Sequence, residues 1–340
     1  MQYLKPNTTL QGGKYRIERV LGQGGFGNTY VGYNTEFEET VAIKEFFMPF
    51  DSIREDNSKR VLYNQQGLGL ECYLEAKENF KQIAEQMLAI KNDHIIDVSD
   101  VYEENDTVYY VMEYIDGENL KERMNRIGHP VTEEEVALII PQLLDALKSI
   151  HNGGICHLDL KPSNIMIDKP QQIKLIDFGL KISIGQMLED KGIFIDHMCT
   201  VPSYFAPELL GRQYQRIGPW TDFYLLGATL YNLLTNERPP HFGDLIDDKK
   251  EDKHDALPMP SNLTPKMRKL ILWLMKVRID ERPKSVNEIQ DFLAAPTFTV
   301  QEDRPHGTEH LCHVQRGQDL QEGNCKKRFW RTLLGKIFRQ

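Results

Sequence analysis

Apolar and polar positions alternate through four early stretches of the chain, "YRIERVLG", "NTYVGYN", "TVAIKEFF" and "TVYYVMEYI". Each is rich in β-branched and aromatic residues and is set off by Gly, Asn or acidic clusters, which predicts β-strands. Between the third and fourth the period changes. Phe80, Ile83, Ala84, Met87 and Leu88 recur at helical spacing, and this predicts a helix over 71–91. Thr132 followed by Glu135 forms a capping box before "VALIIPQLLDALKSIH", in which Pro141 is expected to cost a hydrogen bond and introduce a kink. Two short strands, "NIMI" and "IKLIDFG", flank the turn "DKPQQ". Further helices are predicted at 222–235 and at 264–277, the latter opened by Thr264 and Pro265, and Pro296 closes the last one. The pattern therefore reads as an α+β, bilobal chain. A short extension (1–14) precedes a small antiparallel β-rich lobe (15–115), which leads into a larger, mainly helical lobe (116–296). Residues 297–325 are polar and weakly patterned, as a linker would be.

Composition changes this picture only at its edges. The 340 residues are 40% apolar and 27% charged, as in ordinary soluble domains. A net charge of −9 argues against a nucleic-acid partner. Residues 326–340 depart from that average, with six cations and no acid. As a helix, this tail sets Trp330, Leu333, Leu334 and Ile337 on one face among the cations, suited to peripheral contact with an anionic membrane or an acidic partner. A helix folded back on the acidic body, or a disordered end, is the competing reading, and Gly335 weakens the helix. His310, Cys312, His313 and Cys325 match no zinc spacing well. The five cysteines are scattered, "MQYLKPNTTLQGGKYR" has no apolar core of a signal peptide, and no run of apolar residues is long enough to span a bilayer. Reduced thiols in a cytoplasmic setting are the expectation.

Three clusters carry candidate chemistry. In "GQGGFGNTYVG", Gly22, Gly24 and Gly27 form a G-x-G-x-x-G array. Dinucleotide-binding folds use the same string, but there the last glycine opens a helix. Here the chain continues as alternating strand, so the glycines belong to a hairpin turn whose backbone N–H groups can close over phosphates. A plain glycine-rich surface hairpin is the competing reading. Lys44, in the apolar strand "VAIK", is a cation that is costly to bury alone. It calls for phosphate oxygens and a helix carboxylate, unless it faces water on an edge strand. The third cluster is "HLDLKPSN" (157–164), followed by Asp177 in "IKLIDFG". The intervening hairpin brings Asn164 and Asp177 to neighbouring ends, and an amide and a carboxylate oxygen suit Mg²⁺ held partly through phosphates. Asp159 is left to orient or accept a hydroxyl proton, and Lys161 to neutralise a transferring phosphoryl group. Taken singly, Asp159 reads equally well as a loop-capping carboxylate.

These clusters, in this order, resemble the eukaryotic-type serine/threonine protein kinases, especially bacterial members, over about residues 15–295. The resemblance implies ATP and Mg²⁺ as cofactors and a protein substrate. It assigns nucleotide contacts to Gly22, Gln23, Gly24, Gly25, Phe26, Gly27, Thr29 and Ala42, with Lys44 on the α/β-phosphates. Met112 would sit behind the adenine, with backbone groups of Glu113 and Ile115 offered to the base. Asp159 would be the catalytic base, Lys161 a γ-phosphate contact, and Asn164 and Asp177 the metal ligands. Glu208 of "APE" would pair with Arg282, and Asp222 would tie down the catalytic loop. Lys161, two residues beyond Asp159, favours Ser/Thr protein substrates over small molecules or tyrosine.

Four departures from the family pattern stand out. Leu158 replaces the arginine that meets a phosphorylated activation segment, so activity is expected not to depend on such phosphorylation. Ile83 occupies the helix position where the partner of Lys44 is expected. Glu85 can serve only if the helix absorbs an offset of two residues, each worth about 100° of rotation. Thr200 falls one residue early, leaving Val201 where a threonine would meet the catalytic Asp. Thr29 stands in for a near-isosteric Val above adenine. Ile83 and Val201 lend some weight to a pseudokinase that binds ATP and acts as an interaction module; a small-molecule phosphotransferase is the third reading.

Overall fold

The computed structural model describes residues 2–55, 58–67, 69–168, 172–178, 204–210, 214–241 and 257–296. The chain divides into one compact unit of residues 1–286 and a second of 287–340. Four strands of the first unit lie where alternation predicts them: β2 (Tyr15–Gln23), β3 (Gly27–Asn34), β4 (Glu39–Phe46) and β8 (Thr107–Glu113). With β1 (Thr9–Leu10) and β7 (Val98–Glu104) they make an antiparallel sheet in the order β1-β2-β3-β4-β8-β7. The segment read as an N-terminal extension is thus built into the sheet, because Leu4 and Leu10 are buried with Tyr15, Ile17, Tyr30, Ile43, Tyr109 and Val111 on its outer face.

Helix α1 (Leu70–Ala89) packs on the opposite face, where the Phe80 ring meets those of Phe46 and Tyr110 at 5.5 and 5.3 Å. Ahead of α1 the chain forms a hairpin of β5 (Ser52–Arg54) and β6 (Val61–Tyr63), whose three-residue strands give no usable alternation in the sequence. Arg54 of this hairpin reaches the outer face of the sheet and pairs there with Glu45, both side chains almost fully buried. Glu45 also accepts from Asn28 Nδ2 (3.0 Å) and from the hydroxyls of Tyr30 (2.7 Å) and Tyr109 (2.8 Å). The Gln2 carbonyl closes the cluster by accepting from Asn28 and Arg54. A buried carboxylate with four donors is a satisfied one.

The helical part begins with β9 (Glu118–Asn119) and α2 (Leu120–Ile127), then α3 (Glu133–Asn152). The capping box at α3 forms as read, with Glu135 N donating to Thr132 Oγ1 at 3.2 Å. Pro141 does not divide the helix, which runs unbroken through it. Strands β10 (Ile165–Ile167) and β11 (Ile173–Leu175) pair as an antiparallel hairpin, and β9 adds to β10. Beyond them come α4 (Pro207–Leu210), α5 (Pro219–Thr235) and α6 (Pro265–Leu274). Thr264 Oγ1 caps α6 by accepting from Met267 N at 3.2 Å, as its sequence predicts. α5 is buried along nearly its whole length and starts three residues before the predicted helix, with Pro219 in its first turn. The second unit opens within α7 (Val286–Ala294). Among the described residues no helix is long and apolar enough to cross a membrane, and Cys72 and Cys156 are free thiols. The predicted linker and basic tail lie outside the described residues, as do Thr200 and Val201.

Candidate active site

Gly24 and Gly25 fall in the β2–β3 hairpin turn and Gly22 and Gly27 in the strand ends beside it, with Gly24 N donating to Gly27 O at 2.8 Å. Gly22, Gln23, Gly24 and Gly25 are exposed, whereas the Phe26 ring is buried. At Gly27 a Cβ would lie 2.5 Å from the Glu45 carbonyl oxygen, so the loop can approach β4 this closely only with glycine. Cross-strand pairing then lines one face of the sheet. Thr29 and Tyr110 flank Lys44 directly, and Met112 is opposite Ala42. Where β8 ends, Glu113 N donates to the Asp97 carbonyl and its carboxylate accepts from Lys174 Nζ at 2.6 Å, which fixes the strand leading to Ile115.

The loop from His157 to Asn164 is held from below by Asp222 at the start of α5. Its Oδ2 accepts from His157 N and its Oδ1 from Leu158 N, both at 2.8 Å, while His151 Nε2 lies 2.8 Å from Oδ2. This clamp holds Leu158 at a φ of 60°, a conformation that L residues rarely adopt. Beyond it Asp159 accepts from Lys161 Nζ at 2.7 and 2.8 Å and from Asn164 Nδ2 at 2.9 Å. Asn164 also donates to the Asp159 carbonyl, so its amide nitrogen is fully engaged, while its oxygen accepts from Ser163 Oγ at 3.4 Å and keeps a second lone pair for a ligand.

The β10–β11 hairpin joins this loop to Asp177. Ile165 pairs with Leu175, and Ile176 N donates to Asn164 O at 3.0 Å, so Asn164 and Asp177 emerge side by side. Asp177 sits at a φ of 57° and forms an ion pair with Lys44, linking the β-rich and helical parts. Burial by itself would lower the Lys44 pKa; the Asp177 charge, and after it the Tyr110 hydroxyl, reverse this and raise it. Next to Asp177, the Phe178 ring stacks on His157 at 4.8 Å. Burial depresses the His157 pKa and pushes the Cys156 thiol up to about 12.

The structure therefore brings Lys44 to Asp177, and Asp159 to Lys161 and Asn164. Glu208 and Arg282 meet as a buried bidentate pair at 2.8 and 3.0 Å, with Thr221 Oγ1 donating to the same carboxylate. Glu85 is the residue it does not bring in. It lies on the exposed side of α1, whereas Ile83 is half-buried, because α1 runs through Phe80, Ala84 and Met87 without absorbing the two-residue offset. The assignment of Glu85 as partner of Lys44 is corrected accordingly: Asp177 holds that place. Tyr110, His151 and the His157–Phe178 stack are neighbours of the site that residue patterns did not single out. A run such as "TVYYVMEYI" signals only strand propensity.

Comparison with known proteins agrees with this geometry. The protein kinase domain family matches residues 15–296. The serine/threonine-protein kinase pkn2 of Myxococcus xanthus is 28% identical over 303 residues, covering 86% of this chain and 33% of that protein. The probable serine/threonine-protein kinase pknA2 of Bifidobacterium longum is 28% identical over 278 residues, 80% of this chain and 33% of its own length. The chain thus spans about a third of these relatives. The solved structure described as PpkA-294 apo form superposes with a TM-score of 0.73 at 24% identity, covering 86% of this chain and 100% of that one. A β-rich sheet whose lysine meets the metal-ligand candidate, a loop clamped by Asp222, and a family match across most of the chain lead to one conclusion: the chain belongs to the protein kinase family.

Proposed function

We propose that the chain is an ATP- and Mg²⁺-dependent protein kinase that phosphorylates serine or threonine hydroxyls of protein substrates. The observation that carries this reading is the continuous path Lys161–Asp159–Asn164–Asp177–Lys44, closed by the Ile176–Asn164 backbone bond and the Lys44–Asp177 ion pair. The residues fit the cofactors. Asn164 Oδ1 and the half-exposed Asp177 carboxylate form a hard-oxygen pair suited to magnesium, and the exposed Gly22 and Gly25, with open space where a side chain would stand, leave the hairpin backbone accessible to a nucleotide. Bound Mg–ATP would supply the phosphoryl group and screen its charge. Asp159 orients the acceptor hydroxyl and takes its proton on a carboxylate oxygen. Lys161, already hydrogen-bonded to Asp159, holds a positive charge beside that oxygen, and Lys44 holds one at the β4 side of the cleft.

The test is incubation with labelled ATP, Mg²⁺ and a generic basic protein, followed by phosphosite mapping. Label on Ser and Thr is expected, reduced by about 10²–10⁴-fold in Asp159→Asn. A second reading, an ATP-binding interaction module, is favoured by Ile83, a half-buried residue at the α1 sequence position where the carboxylate partner of Lys44 is expected. Nucleotide binding with no label on any protein would select it, and label on metabolites alone would overturn both.

A further inference from the structure

Side chains alternate along β2, β3 and β4, so each row that faces the cleft has an outward-facing row beside it. Gly22, Thr29 and Lys44 pair across the three strands to form the cleft row. The adjacent row, Gln23, Asn28 and Glu45, pairs across the same strands and faces the outer side. Hydrogen bonds join its members: Gln23 Nε2 donates to Asn28 Oδ1 at 3.0 Å, and Asn28 Nδ2 donates to Glu45 Oε2 at 3.0 Å. Asn28 and Glu45 are fully buried and form a fixed support, whereas Gln23 is exposed and leads into the glycine turn.

The N-terminal segment grips this row from outside. The Gln2 carbonyl accepts from Asn28 Nδ2 at 3.0 Å, the Tyr3 hydroxyl donates to Gln23 Oε1 at 3.2 Å, and Leu4 N donates to the Tyr30 hydroxyl at 3.2 Å. The Tyr3 ring packs on the outer core, so its hydroxyl is offered to Gln23 from an anchored side chain. A glycine-rich turn has backbone freedom that a ligand must remove on binding, and a tether that removes it beforehand lowers that cost. We propose that Tyr3 is a positioning residue for the glycine hairpin, its hydroxyl holding Gln23, and with it the backbone of residues 22–27, in the form that receives the nucleotide. The inference deepens the kinase reading and rests on it for the ligand that the hairpin covers.

The test compares the full chain with Tyr3→Phe, which keeps the ring on the core and removes only the hydroxyl. Backbone hydrogen exchange over residues 22–27 is read first, without nucleotide. The dissociation constant of a fluorescent ATP analogue follows, then the KM for ATP and for the protein substrate. Loss of one hydrogen bond predicts about fivefold faster exchange confined to the hairpin, about fivefold weaker analogue binding and a matching rise in the KM for ATP. The KM for protein and the nucleotide-free melting temperature should not move. Gln23→Met, which keeps the length of the side chain and removes its amide, should weaken binding at least as much. Adding Tyr3→Phe to it should then change affinity no further, because the two groups act as one unit. Native exchange or native affinity in Tyr3→Phe overturns the proposal. So does faster exchange spread over the whole sheet with a lowered melting temperature, or additive losses in the double variant. Should the native chain bind no nucleotide, the kinase reading falls while the exchange comparison still decides whether Tyr3 positions the hairpin.

Discussion

Lys44 and Glu45 are adjacent ions in one strand, and alternation sends them to opposite faces. Lys44 enters the cleft and meets Asp177, whereas Glu45 enters the outer core, where Arg54 and three neutral donors hold it. Replacing a buried ion pair by apolar groups is often tolerated, but removing one partner leaves the other charge stranded. Glu45→Gln is therefore expected to cost about 3–5 kcal/mol in urea unfolding, with part regained in Glu45→Gln/Arg54→Met. An unchanged midpoint would show the cluster to be a bystander. At this scale the sequence was only half legible. "VAIKEFF" signals a costly lysine in a strand, but its glutamate is explained by residues at 28, 30, 54 and 109 that no local pattern ties to it.

At the scale of elements, the strands with long alternation and glycine punctuation were readable, as were the capped helices, because each local signal agrees with the fold around it. The β5–β6 hairpin and β9 were not, being too short for any period to show, and α2 went unread although Leu120, Met124 and Ile127 recur at helical spacing behind an Asn119–Glu122 capping box. Glu85 failed for a geometric reason: two residues along a helix turn a side chain by about 200°, and α1 has no bulge to correct it. The loop carrying Leu158 was legible in its chemistry but not in its support. Its backbone is fixed by Asp222 from 64 residues away, and His157 by a stack on Phe178. With both anchors internal to the fold and no guanidinium at 158 to meet a phosphate, phosphatase treatment is expected to leave activity within about twofold of the untreated enzyme. Phosphosite mapping before and after treatment, beside the rate, checks this; activity abolished by dephosphorylation would refute it.

Across the first compact unit, the N-terminal segment acts as part of the sheet and not as an appendage. Asn7 N donates to Ile17 O at 2.7 Å, Ile17 N to Thr8 O at 2.8 Å, and Leu4 N to the Tyr30 hydroxyl at 3.2 Å. Leu4 and Leu10 are buried beneath this edge. Removing residues 1–10 forfeits two buried leucines, each worth about 1.5–3 kcal/mol, and opens the Glu45 cluster to water. Such a truncation is expected to lose at least about 3 kcal/mol by chemical denaturation; a midpoint equal to that of the full chain would mark the segment as dispensable.

The opposed ions of β4 also constrain how the chain can drift over time. Shifting this strand by one residue would put the ammonium into the greasy outer layer and the carboxylate into the cleft against Asp177, an electrostatic error at both addresses. Insertions or deletions between Glu39 and Lys44 are thus penalised twice by the same displacement. Length changes can be absorbed only outside the ladder, in the turns at either end.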